Sequence, residues 1–515
     1  MARQGEDRDR DPGPDPNPKA DPDPDPDPKT DPNADPERRA AAAKGLGRIG
    51  RPEHAGVLVE AAGDPVPAVR AAAALGLGRL GVPEAAGTVL PGLMRDADPW
   101  VRRRASVAAI RLGLQGPTVT RAYAVLLGDP DHHLRINALV GLYALGVTGD
   151  VPALARLLGD PEGAVWGRAR MLLYRFRDDP AVRAEVIRTA REGEGAARAE
   201  ALEMLPKQCT ERLLDSLLTG LRDPSPEVRY AVARRLLGLE RLSVRDALVE
   251  ALRTERDPEV AGTLLSGLGW RGERRVTDPA VRWLTDPGAG RWAATALGHI
   301  GTGTAAEHLR KALADETMPG STRAAAAAAV GKAGRWDTVW LLLPLLDDPE
   351  AEVRAGAVDG LGELVHDGLR WWERRPVADA LTARLASGRD AIWRTSNALD
   401  GLDEALPAVR RLADGAPSGE IRAAALWLLD ADDATARQDV RRFERGLDDD
   451  DEGVRYQAVQ GFTRWVANGA SPSLDRAVHD RLTALTTDAS PRLRQAATEL
   501  LQALDTGREP PPGES

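Results

Sequence analysis

Two glycine-rich segments are the first residues in the chain whose types and spacing could do chemistry. GLGRIG at Gly45–Gly50 and GLGRLG at Gly76–Gly81 both match G-x-G-x-x-G, a pattern whose backbone amides can hold a pyrophosphate. That use requires a strand before the motif and a helix that opens at it. Each motif instead closes a stretch of helical apolar spacing, at the same phase of a repeat. We therefore interpret these glycines as helix packing and capping residues.

The side chains that usually perform catalysis or hold metals are few and scattered. The seven histidines form neither His-x-x-x-His nor His-Glu-x-x-His, and Cys209 is the only cysteine. A lone cysteine excludes an internal disulfide and a cysteine-based zinc site. The sequence also lacks a serine nucleophile elbow and a phosphate-binding P-loop. We expect no catalytic residue, no metal site and no cofactor.

The dominant pattern is a phrase, Asp-Pro-x-x-x-Val-Arg, that returns about every 32 residues. It reads DPVPAVR at Asp64–Arg70 and DPSPEVR at Asp223–Arg229, with looser copies elsewhere. A fixed period of this length indicates a stack of similar units, each too small to bury its apolar face alone. Longer gaps mark insertions near residues 366–376 and 468–473. The register follows the arginine position through Arg38, Arg70, Arg102, Arg135, Trp166, Arg198, Arg229, Ala261, Arg291, Arg323, Arg354, Arg394, Arg422, Arg455 and Arg494.

Each unit has the pattern of a helical hairpin. In the second unit, Glu53–Ala62 has helical apolar spacing, an Asp-Pro turn breaks it, and Pro67–Leu80 forms a second helix that Gly81 ends. We predict an all-α, right-handed α-solenoid of about 14–15 such hairpins. The turn aspartate is expected to cap the second helix. The arginine is expected to reach the aspartate of an adjacent unit, which would form a ladder along the stack.

The repeat motif points to a known repeat class. LxDPxxxVRxxAxxALGxLG, carried by Ala61–Gly81 and Leu346–Leu364, resembles the HEAT-like repeats of the family that includes the phycobilisome lyases. The resemblance covers about residues 36–504 and implies a fold in which the second helices line a concave surface. It does not select one function, because the superfamily carries many. Iron-dependent deoxyhypusine hydroxylases share this repeat class but use paired His-Glu motifs, and this chain has no His-Glu dipeptide.

Two classes of function remain open. We predict a non-enzymatic interaction scaffold or adaptor that binds a protein or peptide partner in the concave face. The alternative is a HEAT-like enzyme, either an alkylpurine DNA glycosylase, a class that uses Trp, Asp and Arg in a concave cleft, or a bilin-lyase-like protein. The twelve tryptophans keep the glycosylase open, although most of them are expected to pack between units.

Charge divides the chain into a repeat region and two tails. The first 36 residues hold eleven acids against five bases, about −6 of the net charge of −10. The repeats are therefore near neutral, which argues against a general nucleic-acid binder. We predict a disordered, acidic, Asp-Pro-rich tail over residues 1–35, with an interaction arm as the alternative. The solenoid should cover residues 36–504, and a second disordered tail residues 505–515.

Targeting signals and composition give an expected location. No apolar run is long enough to span a membrane, so no membrane insertion is expected. The first residues, MARQGEDRDRD, have no apolar core that would make a secretory signal. We therefore expect a cytoplasmic protein. The abundance of arginine, alanine and glycine suits a bacterial source.

Charge along the predicted second helices reverses sign through the chain. An ordinary solvated surface would show such drift, but a groove with a basic first half would also orient a partner. The basic half would favour an acidic partner segment. In chain order, the segments and their net charges are Trp100–Leu114 (+4), Glu162–Arg177 (+3), Glu227–Arg241 (+2), Glu350–Leu364 (−3), Asp390–Glu404 (−3) and Glu420–Asp433 (−3).

Helical spacing selects candidate binding residues on these helices. Positions one, four, five and eight after the aligned arginine should flank the buried stripe, because residues three or four apart share a face. Tyr143 and Tyr174 occupy the same place in adjacent units and could form a stacked aromatic strip. Packing of the aromatics between units and solvation of the arginines are the alternative. The predicted binding face consists of Arg103, Tyr143, Arg170, Tyr174, Tyr230, Arg234, Trp292, His299 and Trp427.

Overall fold

The computed structural model describes residues 35–205, 211–332, 337–429, 436–467 and 476–506. The chain divides into two compact units, unit 1 over residues 1–207 and unit 2 over residues 208–515. The acidic segment before residue 35, the end of the chain after residue 506 and the insertion predicted at 468–473 lie outside the described residues.

Unit 1 is a series of helical hairpins in its described part. Even-numbered helices are the first helices of the hairpins and odd-numbered helices are the second. The helices of unit 1 are α1 (Pro36–Ile49), α2 (Ala55–Ala61), α3 (Pro67–Leu80), α4 (Pro83–Leu93), α5 (Pro99–Arg111), α6 (Pro117–Leu126), α7 (His132–Leu145), α8 (Val151–Arg156), α9 (Gly163–Arg175), α10 (Pro180–Glu192) and α11 (Gly195–Met204).

Unit 2 continues the same alternation. All regular structure in the described parts of both units is helical, so the all-α solenoid prediction is confirmed. The helices of unit 2 are α12 (Glu211–Gly220), α13 (Pro226–Leu237), α14 (Leu242–Thr254), α15 (Pro258–Trp270), α16 (Thr277–Trp283), α17 (Gly290–Ile300), α18 (Gly303–Ala314), α19 (Gly320–Lys332), α20 (Thr338–Leu342), α21 (Ala351–Asp367), α22 (Trp371–Ser387), α23 (Ile392–Leu399), α24 (Leu406–Gly415), α25 (Gly419–Leu428), α26 (Ala436–Gly446), α27 (Glu452–Ala467), α28 (Arg476–Leu485) and α29 (Pro491–Thr506).

The second hairpin shows why the sequence folds this way. Pro67 begins α3, where its missing amide donor is tolerated because first-turn amides have no acceptor within the helix. Gly81 ends α3 with a φ of 77°, a left-handed conformation that glycine adopts without strain. Val69 and Leu77 lie fully buried on the predicted stripe. Helix α2 is shorter than predicted because residues 52–54 form a separate 3-10 turn.

A ladder of ion pairs ties many of the second helices to the turn of the next hairpin. In α5, Nε of Arg102 lies 2.7 Å from Oδ2 of Asp129, and Nη1 donates to the carbonyl oxygens of Asp96 (2.9 Å) and Ala97 (3.0 Å). One guanidinium thus closes its own turn and holds the following one, as predicted. The ladder pairs are Arg39–Asp64, Arg70–Asp96, Arg102–Asp129 and Arg135–Asp160 in unit 1, and Arg229–Glu255, Arg323–Asp348, Arg354–Asp390, Arg422–Asp449 and Arg455–Asp488 in unit 2.

The prediction that the turn aspartate caps the second helix holds for Asp98 but not for the ladder aspartate Asp96. Oδ1 of Asp96 accepts from the amide of Asp98 (2.9 Å), which closes the turn. Asp98 then caps α5 by accepting from the amides of Trp100 (2.8 Å) and Val101 (3.1 Å). The ladder aspartate lies two residues before the N-cap, so the amides within its reach belong to the turn.

Small residues bring successive second helices into close contact. We count positions in a second helix from its ladder arginine, which is position 0. A Cβ at Gly78, position 8 of α3, would lie 2.7 Å from the Cβ of Ala108, position 6 of α5. A Cβ at Gly298, position 8 of α17, would lie 2.6 Å from the Cβ of Ala329, position 6 of α19. Side chains larger than these would push the helices apart.

This packing rule corrects the predicted register. Gly269, at position 8 of α15, packs on Ala296, which is thereby position 6 of α17. Gly362, at position 8 of α21, packs likewise on Ala398 of α23. Both helices, α17 and α23, begin only at position 0. Counting residues from the Asp-Pro turn therefore assigned position 0 to the wrong residue in each. Position 0 is Arg39 rather than Arg38 in α1, Gly290 rather than Arg291 in α17, and Ile392 rather than Arg394 in α23.

The ladder is interrupted where position 0 is not arginine. Trp166 occupies that position in α9 of unit 1, and Ala261, Gly290 and Ile392 occupy it in α15, α17 and α23 of unit 2. None of these side chains can form a charged hydrogen bond with the carboxylate of the following turn. The described hairpins are therefore not joined equally along the chain.

The ladder predicts how stability depends on pH. Hydrogen bonds from the ladder arginines lower the pKa of Asp64, Asp96 and Asp449 below the ordinary aspartate value. A carboxyl whose pKa is lower in the folded state contributes stability above its unfolded pKa of about 3.9 and loses it as the pH falls through the folded value. We expect little change from these groups between pH 7 and 5, and a steep loss below about pH 4 in urea denaturation. The loss should be shallower in Asp96→Asn, and an equally steep loss would contradict this account.

Candidate functional site

Three neighbouring second helices of unit 1 present the same four positions to solvent. Positions 2, 5, 8 and 9 are three or four residues apart, so they lie along one face of each helix. All twelve side chains are exposed or half-buried. We call this set the arginine–aromatic face. It consists of Arg104, Val107, Ile110 and Arg111 on α5, Asn137, Val140, Tyr143 and Ala144 on α7, and Arg168, Met171, Tyr174 and Arg175 on α9.

The centre of the arginine–aromatic face is apolar. Position 5 holds Val107, Val140 and Met171, which are 48%, 37% and 58% exposed. Position 8 adds Tyr143 and Tyr174, at 42% and 59%. Single exposed apolar residues are ordinary, but an apolar row repeated on three adjacent helices is the kind of patch that marks a binding surface.

Arginines bound this apolar centre at both ends. Within the described residues, no carboxylate lies within ion-pair distance of them, unlike the ladder arginines. Partial burial and the positive charges of Arg79 and Arg103 lower the pKa of Arg104, which shows that positive charge gathers at this end. The arginines in question are Arg104 and Arg168 at position 2, and Arg111 and Arg175 at position 9.

Aromatic rings hold several of these guanidinium groups in place. Cζ of Arg175 lies 4.5 Å from the ring centre of Tyr143, and Cζ of Arg177 lies 4.6 Å from that of Tyr174. Cζ of Arg104 lies 4.7 Å from the ring of Trp100. Stacking of this kind orders a guanidinium without neutralising its charge. Ordered guanidinium groups without a carboxylate partner can bind carboxylates or phosphates in bidentate fashion.

The predicted binding residues of unit 1 lie on or beside this face. Tyr143 and Tyr174 belong to it, but each ring contacts an arginine rather than the other tyrosine. Arg103 lies half-buried beside it. Arg170, at position 4 of α9, forms an ion pair with Glu200 of α11, with Nη1 and Oε2 3.1 Å apart. Three of the four residues are therefore brought together, and the fourth already has a partner.

Three predicted residues of unit 2 lie on two separate second helices. Tyr230 and Arg234 are on α13, with Cζ of Arg234 5.7 Å from the tyrosine ring. Trp292 is on α17 and packs over Gly262 of α15, where a Cβ would lie 2.6 Å from the indole Cδ1. Because Trp292 fills the space above a glycine, it contributes to packing between helices.

His299 shares α17 with Trp292, whereas Trp427 lies further along the stack. Partial burial and the charge of Lys332 lower the pKa of His299, on α17. Trp427, on α25, is half-buried and meets Trp393 of α23 edge to face, with ring centres 6.2 Å apart. Several second helices lie between α13 and α25, so the structure does not gather the predicted residues of unit 2 into one site.

One acidic second helix of unit 2, α21, differs from the basic ones of unit 1 because ion pairs neutralise most of its carboxylates. On α21, each of three carboxylates has a basic partner on a neighbouring second helix. The negative charge predicted for this segment is thus consumed by internal ion pairs. The pairs are Glu350–Arg323 (3.2 Å), Asp359–Arg394 (2.9 Å) and Glu363–Lys332 (3.2 Å).

Sequence reasoning missed most of the arginine–aromatic face because it placed the buried arc too narrowly. Position 4, predicted to flank the core, is buried at Ala74, Ser106 and Leu139. A second helix packs on its own first helix and also on a second helix at each side. Only the face centred on positions 2, 5 and 9 stays open. The glycines and alanines at positions 6 and 8 of other units are the signal that could have revealed these lateral contacts.

The described residues form neither a membrane-spanning helix nor a metal-binding cluster. No helix there is both long and apolar enough to cross a membrane. No group of three or more His, Cys, Asp or Glu side chains in the same residues is arranged to hold a metal ion.

Comparison with family models decides the repeat class. The model for HEAT repeats matches residues 30–111 and 245–320, and a second HEAT repeat model matches residues 213–239. The chain contains HEAT repeats. The narrower resemblance to the phycobilisome-lyase repeats stays a prediction. No curated protein matches the sequence of this HEAT-repeat protein.

Solved structures show the same solenoid fold. Importin beta, crystallised in a polyethylene glycol condition, superposes with a TM-score of 0.60 at 12% identity, over 92% of this chain and 80% of that one. A Kap95:Nup1 complex gives 0.52 at 13% identity, over 92% and 77%. Yeast importin-beta (Kap95p) gives 0.51 at 12%, over 92% and 76%. At these identities the likeness concerns the fold of the HEAT repeats alone.

Proposed function

We propose that this HEAT-repeat protein is a non-enzymatic, cytoplasmic scaffold or adaptor that binds a protein partner through the arginine–aromatic face. The supporting observation is the apolar row of α5, α7 and α9, bounded at both ends by arginines without a carboxylate partner among the described residues. A structural neighbour, Kap95, is described in complex with Nup1, so the fold is compatible with protein binding.

The chemistry of the face defines the partner. Its arginines favour carboxylates or phosphorylated side chains, and its apolar centre favours aliphatic or aromatic side chains. Arginine and tyrosine together are enriched where interfaces derive most of their affinity. We therefore propose an acidic partner segment that also carries apolar residues, bound at the N-terminal half of the chain.

The spacing of the helices constrains the sequence of that segment. Packed helices lie about 8–10 Å apart, and three residues of a polyproline II chain advance about 9 Å. A polyproline II chain also has three residues per turn, so every third side chain points the same way. A segment with an apolar residue at every third position would set one apolar side chain against each of Val107, Val140 and Met171.

A defined peptide tests this proposal. The probe is a fluorescein-labelled peptide of four Leu-Glu-Asp triplets, compared with Leu-Gln-Asn and Gly-Glu-Asp versions. We expect the probe to bind the protein most tightly and both comparison peptides to bind at least about tenfold more weakly, measured by fluorescence anisotropy at 50 mM salt. Affinity should fall as salt rises, because the ionic contacts are screened.

Matched charge reversals locate the site. Arg104→Glu, Arg168→Glu and Arg175→Glu together should weaken probe binding at least about tenfold. The control reverses Arg95, Arg121 and Arg156, which are exposed in the same unit but lie off the face, and should change affinity less than about twofold. Circular dichroism should show both variants folded. Equal weakening by the two variants, or none by either, would overturn the proposed site.

A further inference from the structure

The acidic segment that precedes the repeats has chemistry that fits the arginine–aromatic face. Residues 11–34 contain seven aspartates and two lysines, and residues 21–28 read DPDPDPDP without a base. This segment has no aromatic or branched aliphatic residue. It is therefore a ligand for cations and not for an apolar surface.

The cations of the face are available to such a ligand. Arg104, Arg111, Arg168 and Arg175 have no carboxylate partner within the described residues, whereas the ladder arginines Arg102 of α5 and Arg135 of α7 do. The charges of the two sets are opposite in sign and similar in number: arginines on α5 and α9, and aspartates in residues 11–34. Charge complementarity thus selects this face among the second-helix surfaces of unit 1.

The segment is also attached within reach of the face. It joins the chain just before α1, which is a second helix of the same unit. At about 8–10 Å per packed helix, α1 and α7 are separated by roughly 30 Å. A chain of 24 residues spans up to about 80 Å when extended, so residues 11–34 can lie across α5, α7 and α9 without strain on the attachment.

We propose that residues 11–34 bind the arginine–aromatic face of the same molecule and compete with the partner. This inference rests on the face assigned under the proposed function. The segment covers the arginines but leaves Val107, Val140 and Met171 without an apolar partner. A partner segment with both acids and apolar residues displaces it, because such a segment also contacts the apolar row. A purely acidic segment makes no apolar contacts and does not displace it. The acidic segment therefore prevents polyanions without apolar groups from binding the face.

The size of the effect follows from the tether. A flexible attachment of this length gives an effective concentration of about 1 mM. If the free segment binds with a Kd of about 0.1 mM, the tethered one raises the apparent Kd of a competing peptide about tenfold. The competition is ionic, so it should disappear at high salt.

The test uses the full chain with its acidic segment neutralised. Asparagine keeps the size of each side chain and removes its charge, so the tether stays intact. In this tail-neutral variant, asparagine replaces Asp21, Asp23, Asp25, Asp27 and Asp31, so that the remaining Asp11 and Asp15 balance Lys19 and Lys29. The four-triplet Leu-Glu-Asp peptide should bind the variant about tenfold more tightly than it binds the natural chain at 50 mM salt. The two affinities should converge at 500 mM salt.

A second measurement observes the segment itself. A labelled synthetic peptide of residues 11–34 should bind the tail-neutral variant, and should not bind it once Arg104, Arg168 and Arg175 are also changed to Glu. The Arg95, Arg121 and Arg156 reversal should leave its binding intact. Equal peptide affinities for natural and tail-neutral chains would overturn the inference while leaving the proposed function standing. If the Leu-Glu-Asp peptide binds neither chain, the proposed function fails instead.

Discussion

Gly360→Ala should destabilise this protein by about 3 kcal/mol, although alanine is normally the better helix residue. Gly360 is at position 6 of α21, where a Cβ would overlap the carbonyl oxygen of Ala327 on α19 and lie 3.2 Å from its carbonyl carbon. The obstacle is backbone in a packed helix, so it cannot rotate away, and overpacking of this kind typically costs about 1–3 kcal/mol or more. Urea denaturation followed by circular dichroism measures the loss.

A matched pair in a single helix separates this effect from helix propensity. Gly47 and Gly45 both lie in α1, within the same GLGRIG motif. A Cβ at Gly47 would overlap Gly76 of α3, whereas a Cβ at Gly45 would meet no atom within 4 Å. We expect Gly47→Ala to destabilise and Gly45→Ala to stabilise by about 0.5–1 kcal/mol, the usual gain in a helix interior. If both variants changed the free energy of unfolding in the same direction, close backbone packing would not be the role of position 8.

Arg102→Ala should lower the free energy of unfolding by about 3–5 kcal/mol, the loss expected when one partner of a buried ion pair is removed. The side chains of Arg102 and Asp129 are 15% and 7% exposed. Alanine would leave the Asp129 carboxylate buried without its partner and would also leave two carbonyl oxygens of the turn at residues 96–97 without a donor. Thermal and urea denaturation should both show the change.

An exposed pair supplies the control for the ladder. Arg253 and Glu250 are 51% and 56% exposed with Nη1 and Oε2 3.2 Å apart, so Arg253→Ala should cost less than about 1 kcal/mol. The double variant Arg102→Met with Asp129→Leu should recover much of the stability, because it removes both charges together. If Arg102→Ala costs no more than Arg253→Ala, burial does not strengthen the ladder.

The helical hairpin was predictable because its signals are local. Pro67 at the start of α3 and Gly81 at its end act within one turn, and the structure places the helix over the predicted residues. The register of α17 was not predictable from the Asp-Pro turn, because its position 0 lies four residues after Asp286, whereas position 0 lies six residues after the turn aspartate in α3, α5 and α7. Its true phase depends on Gly269 and Ala296, which belong to different repeats and meet only in the folded stack.

The candidate site was partly predictable for the same reason. Tyr143 and Tyr174 were found because repeat position is a sequence property. Met171 lies at position 5, which was among the predicted positions, but it was missed because only arginine, histidine and aromatic side chains were selected there. Arg170 shows the limit of residue type as a guide, because Glu200 of the next repeat neutralises it. Whether an arginine has a carboxylate partner depends on the residues of the neighbouring repeat.

The interrupted ladder affects how the protein unfolds. In a linear array each hairpin is stabilised mainly by its two neighbours. A weak junction therefore reduces the stabilisation that hairpins on one side give to those on the other. The arginine that elsewhere bonds to the next turn is replaced by Trp166, Ala261, Gly290 and Ile392. Hairpins on either side of such a junction can open without the rest, so unfolding proceeds in segments rather than as a single all-or-none transition. Helix α9, which carries Met171 and Tyr174, lies at one of these junctions. Its binding residues therefore belong to the part of unit 1 where local opening is easiest.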